Sequence, residues 1–330
     1  MQVIFSSIAG EKRSKNYNRF NKAHSKNFHH STRAIMTPVK KVLVAGASGY
    51  LGRYAVREFR ERGYYVRSLV RNPDKIKVRG THKEPAIYDI SDEVVTGDIT
   101  VPESIKGICS GIDIVFSALG LTSPHPEYTS NDIDYIGNKR ILDEAVKEKV
   151  SRFIYVSVFN HDKMPEIESV KAHEKFVAEL KQSGLSWAVI RPNGYFSDMA
   201  RFFAMAQSGH IFVIGDGEKK INPIHGADLA IVCADAAEGE CREIPVGGPD
   251  IYSFREIMEM AFLAFSKTPW ITPLPFWLAE SGLMLTALFN QNLASLLSFA
   301  VEALKFDHIA PAYGTRHLKD FFAKLASDNQ

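Results

Sequence analysis

The chain has 330 residues, long enough for one large α/β domain or a domain with a small lobe. A hydrophobic fraction of 45% and a charged fraction of 24% exclude a disordered or fibrous chain. The net charge of +2 is uneven: residues 1–40 hold eight Lys/Arg against the single acid Glu11, while the remainder holds 32 against 37 acids. A mildly acidic body argues against nucleic acid as the main partner.

Three widely spaced cysteines, Cys109, Cys233 and Cys241, form no CxxC or Cys/His metal spacing, so reduced thiols and no metal site are expected. The basic segment 1–38 leaves two readings open: an organelle transit peptide, or disordered residues upstream of a start at Met36. The second, with a cytoplasmic protein, is preferred because no clear amphipathic helix occurs there.

The body begins with KVLVAGASGYLGR, residues 41–53. Val42, Leu43 and Val44 suit a strand buried on both faces, and a helical pattern runs from Leu51 to Arg62. Gly46, Gly49 and Gly52 lie between them. A strand, a glycine turn and a helix start make a pyrophosphate site, with Gly46, Ser48, Gly49, Tyr50, Leu51 and Gly52 lining it. Tyr65–Arg71 predicts the second strand. Dinucleotide folds often end this strand in an acid that bonds the ribose hydroxyls, but here Arg71 stands there, with Lys75 following. A guanidinium suits a 2′-phosphate, so NADP(H) is expected over NAD(H); a solvated arginine is the alternative.

Residues 74–93 form a polar segment of uncertain structure. Val94–Ile99 reads as the third strand, with Asp98 and Ile99 at the adenine end of the site. Asp113–Leu119 reads as the fourth. Ser117, Ala118, Leu119 and Gly120 close it with mostly small residues that let a ribose approach. The loop LTSPHPEY covers the site, and His125 within it reads as a loop histidine. A helix over Asp134–Lys149, a strand over Arg152–Val158, a helix near Ser169–Ser183 and a strand over Ser186–Arg191 complete the alternation. The expected fold is therefore α/β: a doubly wound, Rossmann-like parallel sheet over residues 39–250, with its loops on one edge, and a small helical substrate lobe over 251–330.

GASGYLG, SLVR, GD, DYIGNKRILDEA, RFIYVSV and SGLSWAVIRPNGYF, in that order, resemble the atypical short-chain dehydrogenase/reductases, in particular the NmrA-like and isoflavone-reductase-like branch. GDGEKKINPIHGADLA and IPVGGP are also similar to divinyl chlorophyllide reductases. The resemblance implies a bound NAD(P)(H), with Pro192, Asn193 and Gly194 near its carboxamide end, and an active-site serine at Ser157. It also implies a Tyr-x-x-x-Lys on the next helix, and there the chain departs: the two positions are Ser169 and His173. No tyrosine lies between Tyr155 and Tyr195. A rebuilt relay would use His173, whose unperturbed pKa is about 6.5, with Ser157 and Tyr195; alternatively His173 bonds only the ribose. His225 reads as structural, starting a helix with Asp228.

From Thr268 to Val301 the sole charge is Glu280, yet Pro273, Pro275 and Asn290–Asn292 interrupt the run, so no transmembrane span is expected. Core helices of a substrate lobe fit best; a substrate mouth, a subunit interface and a membrane-surface patch are the alternatives, and self-association is undetermined. The expected function is an NADP(H)-dependent oxidoreductase that transfers hydride to or from a carbonyl or activated double bond of an apolar small molecule. The alternative is a non-catalytic dinucleotide-binding regulator or assembly factor.

Overall fold

A computed structural model describes residues 38–327; the predicted basic leader lies outside the described residues except for Pro38. Strand β1 (Lys41–Ala45) enters the glycine turn, followed by helix α1 (Tyr50–Glu61) and strand β2 (Tyr65–Val70). A single turn, α2 (Asp74–Lys77), precedes β3 (Glu93–Thr96) and β4 (Ile114–Ser117). A π-helical stretch, Asn131–Gly137, runs directly into α3 (Asn138–Lys147). Next come β5 (Arg152–Val156), α4 (Glu168–Gln182), β6 (Ser186–Pro192) and α5 (Phe196–Ser208). The short strands β7 (Ile211–Ile214) and β8 (Lys220–Ile221) precede α6 (Gly226–Asp235) and β9 (Arg242–Val246). The chain continues through β10 (Tyr252–Ser253), α7 (Phe254–Ala264) and β11 (Ile271–Leu274). Helices α8 (Phe276–Phe289), α9 (Gln291–Ala303) and α10 (Leu318–Ser327) end it.

Seven strands pair in the order β3-β2-β1-β4-β5-β6-β9, all parallel, as the doubly wound reading required. Alternation along β1 shows why. Val42 and Val44 enter an apolar cluster with α1 and α6, whereas Leu43 and Ala45 enter the opposite one with α3 and α4. The order reverses between β1 and β4, so the crevice beyond their C-terminal ends is the ligand position of such a sheet. A third apolar cluster joins Phe196 and Phe203 of α5 with Phe262 of α7 and Phe322 of α10.

Two expectations change in detail. Strand β3 stops at Thr96, earlier than predicted. Gly97 N–H still bonds the Val70 carbonyl at 3.0 Å, but Asp98 turns the chain by accepting from Thr100 N–H at 2.8 Å. The C-terminal apolar run does form helices, but not core ones: no residue of α8 is buried, and only Ala294 and Val301 are buried in α9. Composition alone could not reveal that the lobe's apolar cluster is already filled by α5, α7 and α10.

The segment after β2 is fixed by Arg53, a buried residue of α1. Its guanidinium donates to the carbonyls of Val78 at 2.7 Å, Pro85 at 3.0 Å and Lys75, while Nε donates to Ser48 O at 3.1 Å. One side chain thus satisfies four backbone acceptors from the glycine loop to residue 85. Arg53→Ala removes all four of these hydrogen bonds together with a buried side chain, and a loss of about 2–4 kcal/mol is expected in urea unfolding. An unchanged midpoint would show the segment is held by other contacts.

Candidate functional site: a dinucleotide crevice

Gly46 has φ +84°, a conformation that favours glycine, and a Cβ there would stand 2.9 Å from the Ala118 carbonyl oxygen. A Cβ on Gly52 would stand 2.0 Å from the Gly46 carbonyl oxygen. These contacts press the turn against β4 and seat α1 on β1. Gly49 is the N-cap of α1; no side chain caps this helix and its first turn holds no acid. Free N–H groups and an uncompensated helix dipole therefore face the crevice, which is what a pyrophosphate needs. The cradle fits a dinucleotide.

Ser48 is exposed on this loop and Leu51 is buried beneath it. Tyr50 is a clamp: its hydroxyl accepts from Gly226 N–H at 3.1 Å, and its ring meets Tyr54 edge-on. Arg71 is exposed just beyond β2. Burial alone would raise the Asp98 carboxyl, but the Thr100 N–H and hydroxyl, helped by the charge of Arg71, hold it below its ordinary value. Ile99 is buried and its carbonyl accepts from Arg140 at 2.6 Å. Ala118, Leu119 and Gly120 follow β4, and Ala118 N–H bonds Ala45 O at 3.1 Å.

The three residues considered for proton transfer occupy different environments. Ser157 is buried: its hydroxyl donates to Glu174 at 3.0 Å and accepts from Arg191 at 3.2 Å. Arg191 grips Glu174 in two bonds of 2.7 and 2.9 Å and also pairs with Glu243. Burial opposes the charge of Glu243, yet Arg191 and Lys181 hold its carboxyl down at about 2. Ser157 is thus a member of a structural ion-pair cluster.

Tyr195 lies at the N-cap of α5, its ring centroid 6.0 Å from that of Tyr50, and burial raises its phenol. Pro192 ends β6 and its carbonyl accepts from Phe159 N–H at 3.3 Å. The Asn193 amide is fully engaged, donating to Asn222 at 2.7 Å and to the His308 carbonyl.

His173 has the arrangement that the sequence reading missed. Its Nδ1 lies 2.5 Å from the hydroxyl of Tyr155, a fully buried residue of β5. Burial, then Asp134 and Glu174, keep that phenol far above its ordinary value, so Tyr155 stays protonated. The His173 side chain makes no other hydrogen bond among the described residues. Asp134 is buried; burial raises its carboxyl, against which His173 and the Leu121 N–H act. That N–H donates to Asp134 at 2.6 Å, so the carboxylate also holds the start of the loop after β4. Asn138 completes the cluster, accepting from Ser117 at 2.6 Å and donating to Asp134 O at 2.9 Å. The available signal was parity: Tyr155 and Ser157 share one face of β5, the face α4 covers.

His225 caps α6, with Nδ1 accepting from Ala227 N–H at 3.0 Å, while Asp228 pairs with Arg316. Burial lowers its pKa from 6.5 to about 4. A lowered histidine favours the folded state above 6.5, and that contribution is lost as pH falls toward 4. In His225→Asn, which keeps a capping oxygen, thermal unfolding is expected to show a smaller loss between those values; an identical loss would assign the acid sensitivity elsewhere.

A family model described as NAD(P)H-binding matches residues 46–240. The chain is 26% identical over 323 residues to the chloroplastic divinyl chlorophyllide a 8-vinyl-reductase of Arabidopsis thaliana, covering 86% of this chain and 76% of that protein. It is 25% identical over 266 residues to the photosystem II assembly factor Ycf39 of Cyanophora paradoxa, covering 78% and 79% respectively. Among solved structures, the NADPH complex of the Escherichia coli quinone oxidoreductase QOR2 aligns with TM-score 0.64 at 18% identity, covering 87% of this chain and 99% of that one. The Citrobacter triphenylmethane reductase bound to NADP(H) aligns with TM-score 0.66 at 16% identity, covering 87% and 99%. With a glycine cradle fitted to a dinucleotide and the family match spanning more than half its length, the chain belongs to the NAD(P)H-binding family, in the atypical short-chain dehydrogenase/reductase group that its motifs resemble.

Proposed function

We propose that this protein is an NADP(H)-dependent reductase of a small apolar molecule bearing a carbonyl or an activated double bond. The observation that carries the reading is the His173–Tyr155 pair beside the crevice, which supplies a proton donor where the usual tyrosine and lysine are missing. Gly46, Ser48, Gly49 and the first turn of α1 hold the pyrophosphate, with Arg71 at the 2′-phosphate. Ala118, Leu119 and Gly120 border the ribose, and Asp98 and Ile99 the adenine. When bound, the cofactor supplies hydride.

His173 supplies the proton. In its charged form the ring donates Nδ1–H to the Tyr155 oxygen and offers Nε2–H to the developing anion of the substrate. Loss of that proton leaves the neutral ring still bonded to Tyr155. Asp134 stands on the same side of the sheet end and holds the start of the loop after β4 through the Leu121 N–H. Tyr155 fixes the ring and, as a protonated phenol, does not take its proton. Ser157 acts through Arg191 and Glu174 as a positioning residue, and Tyr195 shapes the cradle through Tyr50. The reductases among the relatives and structural neighbours support this reading, as does NADP(H) in two of the neighbouring structures.

The second reading, a dinucleotide-binding assembly factor without turnover, draws on the Ycf39 relatives. The word chloroplastic in several relatives' names favours the organelle alternative over the cytoplasm for this chain.

Transfer of tritium from 4-labelled NADPH to an extractable organic compound tests the leading reading; tight NADPH binding with no transfer would move the assignment to the assembly factor. Arg71→Ala should weaken NADPH binding roughly 10- to 100-fold and NADH binding little. Equal losses would remove the phosphate assignment. His173→Ala should abolish turnover at saturating cofactor, and Tyr155→Phe should lower kcat roughly 10- to 100-fold while the NADPH KM stays near wild type. An unchanged kcat in both variants would exclude the pair.

A further inference from the structure

Helix α8 leaves an apolar stripe in solvent, interrupted only by Ser281 and Gly282. Trp277, Leu278, Met284, Leu285, Leu288 and Phe289 recur at helical spacing and are 43–89% exposed. A water-soluble surface rarely displays such a run without a partner. Glu280 lies outside the stripe and is ion-paired at 3.0 Å with Lys305, which also pairs with Glu302, so the stripe itself carries no charged side chain. Three hydroxyls of the hairpin bond to carbonyls of their own helices. Ser281 donates to Trp277 O and Thr286 to Gly282 O, both at 2.8 Å, and Ser298 donates to Ser295 O at 2.6 Å.

We propose that the α8–α9 hairpin seats on the surface of a lipid bilayer, with the α8 stripe in the acyl boundary. A protein partner would be met with about one hydrogen bond per 100–200 Å². Apart from the indole N–H of Trp277, the stripe offers no free donor or acceptor. Hydroxyls bonded to their own helix, and a tryptophan at its start, suit hydrocarbon beside a headgroup layer. At 14 residues α8 is about 21 Å long, short of the roughly 30 Å hydrocarbon core, so it lies in the interface and does not cross. No helix among the described residues is long and apolar enough to span a membrane. The absence of basic residues from the stripe makes the seating independent of anionic lipid.

The test is flotation of the full chain with phosphatidylcholine vesicles at low and high salt, read without turnover and so independent of the reductase reading. The wild type should float at both salt concentrations, and brominated phosphatidylcholine should quench its fluorescence in a Trp277-dependent manner. Met284→Glu combined with Leu288→Glu, both at highly exposed positions, should keep the circular dichroism of the wild type and reduce the bound fraction roughly tenfold or more. Failure to float would overturn the proposal. So would binding that requires anionic lipid and disappears in salt, or a solution dimer that the double variant converts to monomer, since a second copy would then be the occupant.

Discussion

The carbonyl oxygen of Ala118 lies 2.9 Å from where the β-carbon of any residue other than glycine would stand at position 46, closer than real β-carbons approach. That approach is possible because β1 and β4 are neighbours while the chain between them travels out through β2 and β3. It closes the crevice floor and frees the first turn of α1 from any side-chain cap. Dipole, free N–H groups and backbone cradle thus come from one steric requirement, and the rest of the sheet holds the two strand ends in register.

On the far side of the crevice, charge is handled by a different rule. Arg191 is nearly inaccessible, and a buried guanidinium is costly unless its donors are filled. Glu174 and Glu243 fill them, and Ser157 adds an acceptor. Adjacent residues of α4 therefore do separate work: Glu174 neutralises the arginine, and His173 reaches Tyr155. A sheet end that looks from sequence like one catalytic group is divided into an ion-pair clamp and a hydrogen-bonded histidine–tyrosine pair.

The alternation of apolar strands with amphipathic helices made the sheet legible, because each strand is buried on both faces and each helix on one. The glycine loop was legible for the same local reason: its spacing carries its geometry. Tyr155 was not, because its role depends on a contact across 18 residues and two elements, and strand parity narrows such contacts without selecting one. Arg53 was hidden because its partners are backbone carbonyls, which have no sequence identity. The fate of the C-terminal apolar run was hidden for another reason. Hydrophobicity states that a surface should leave water, whereas only packing decides whether the protein's own core receives it.

The hairpin is not an isolated appendage. Asn292, at the start of α9, donates to the carbonyl of His125 at 3.0 Å, in the loop that follows β4 over the crevice. Helix α9 also brings Phe299 against Val170 of α4, the helix that carries His173. The hairpin therefore bears directly on the loop after β4 and on the helix that carries His173, so a displacement of the hairpin is felt by both.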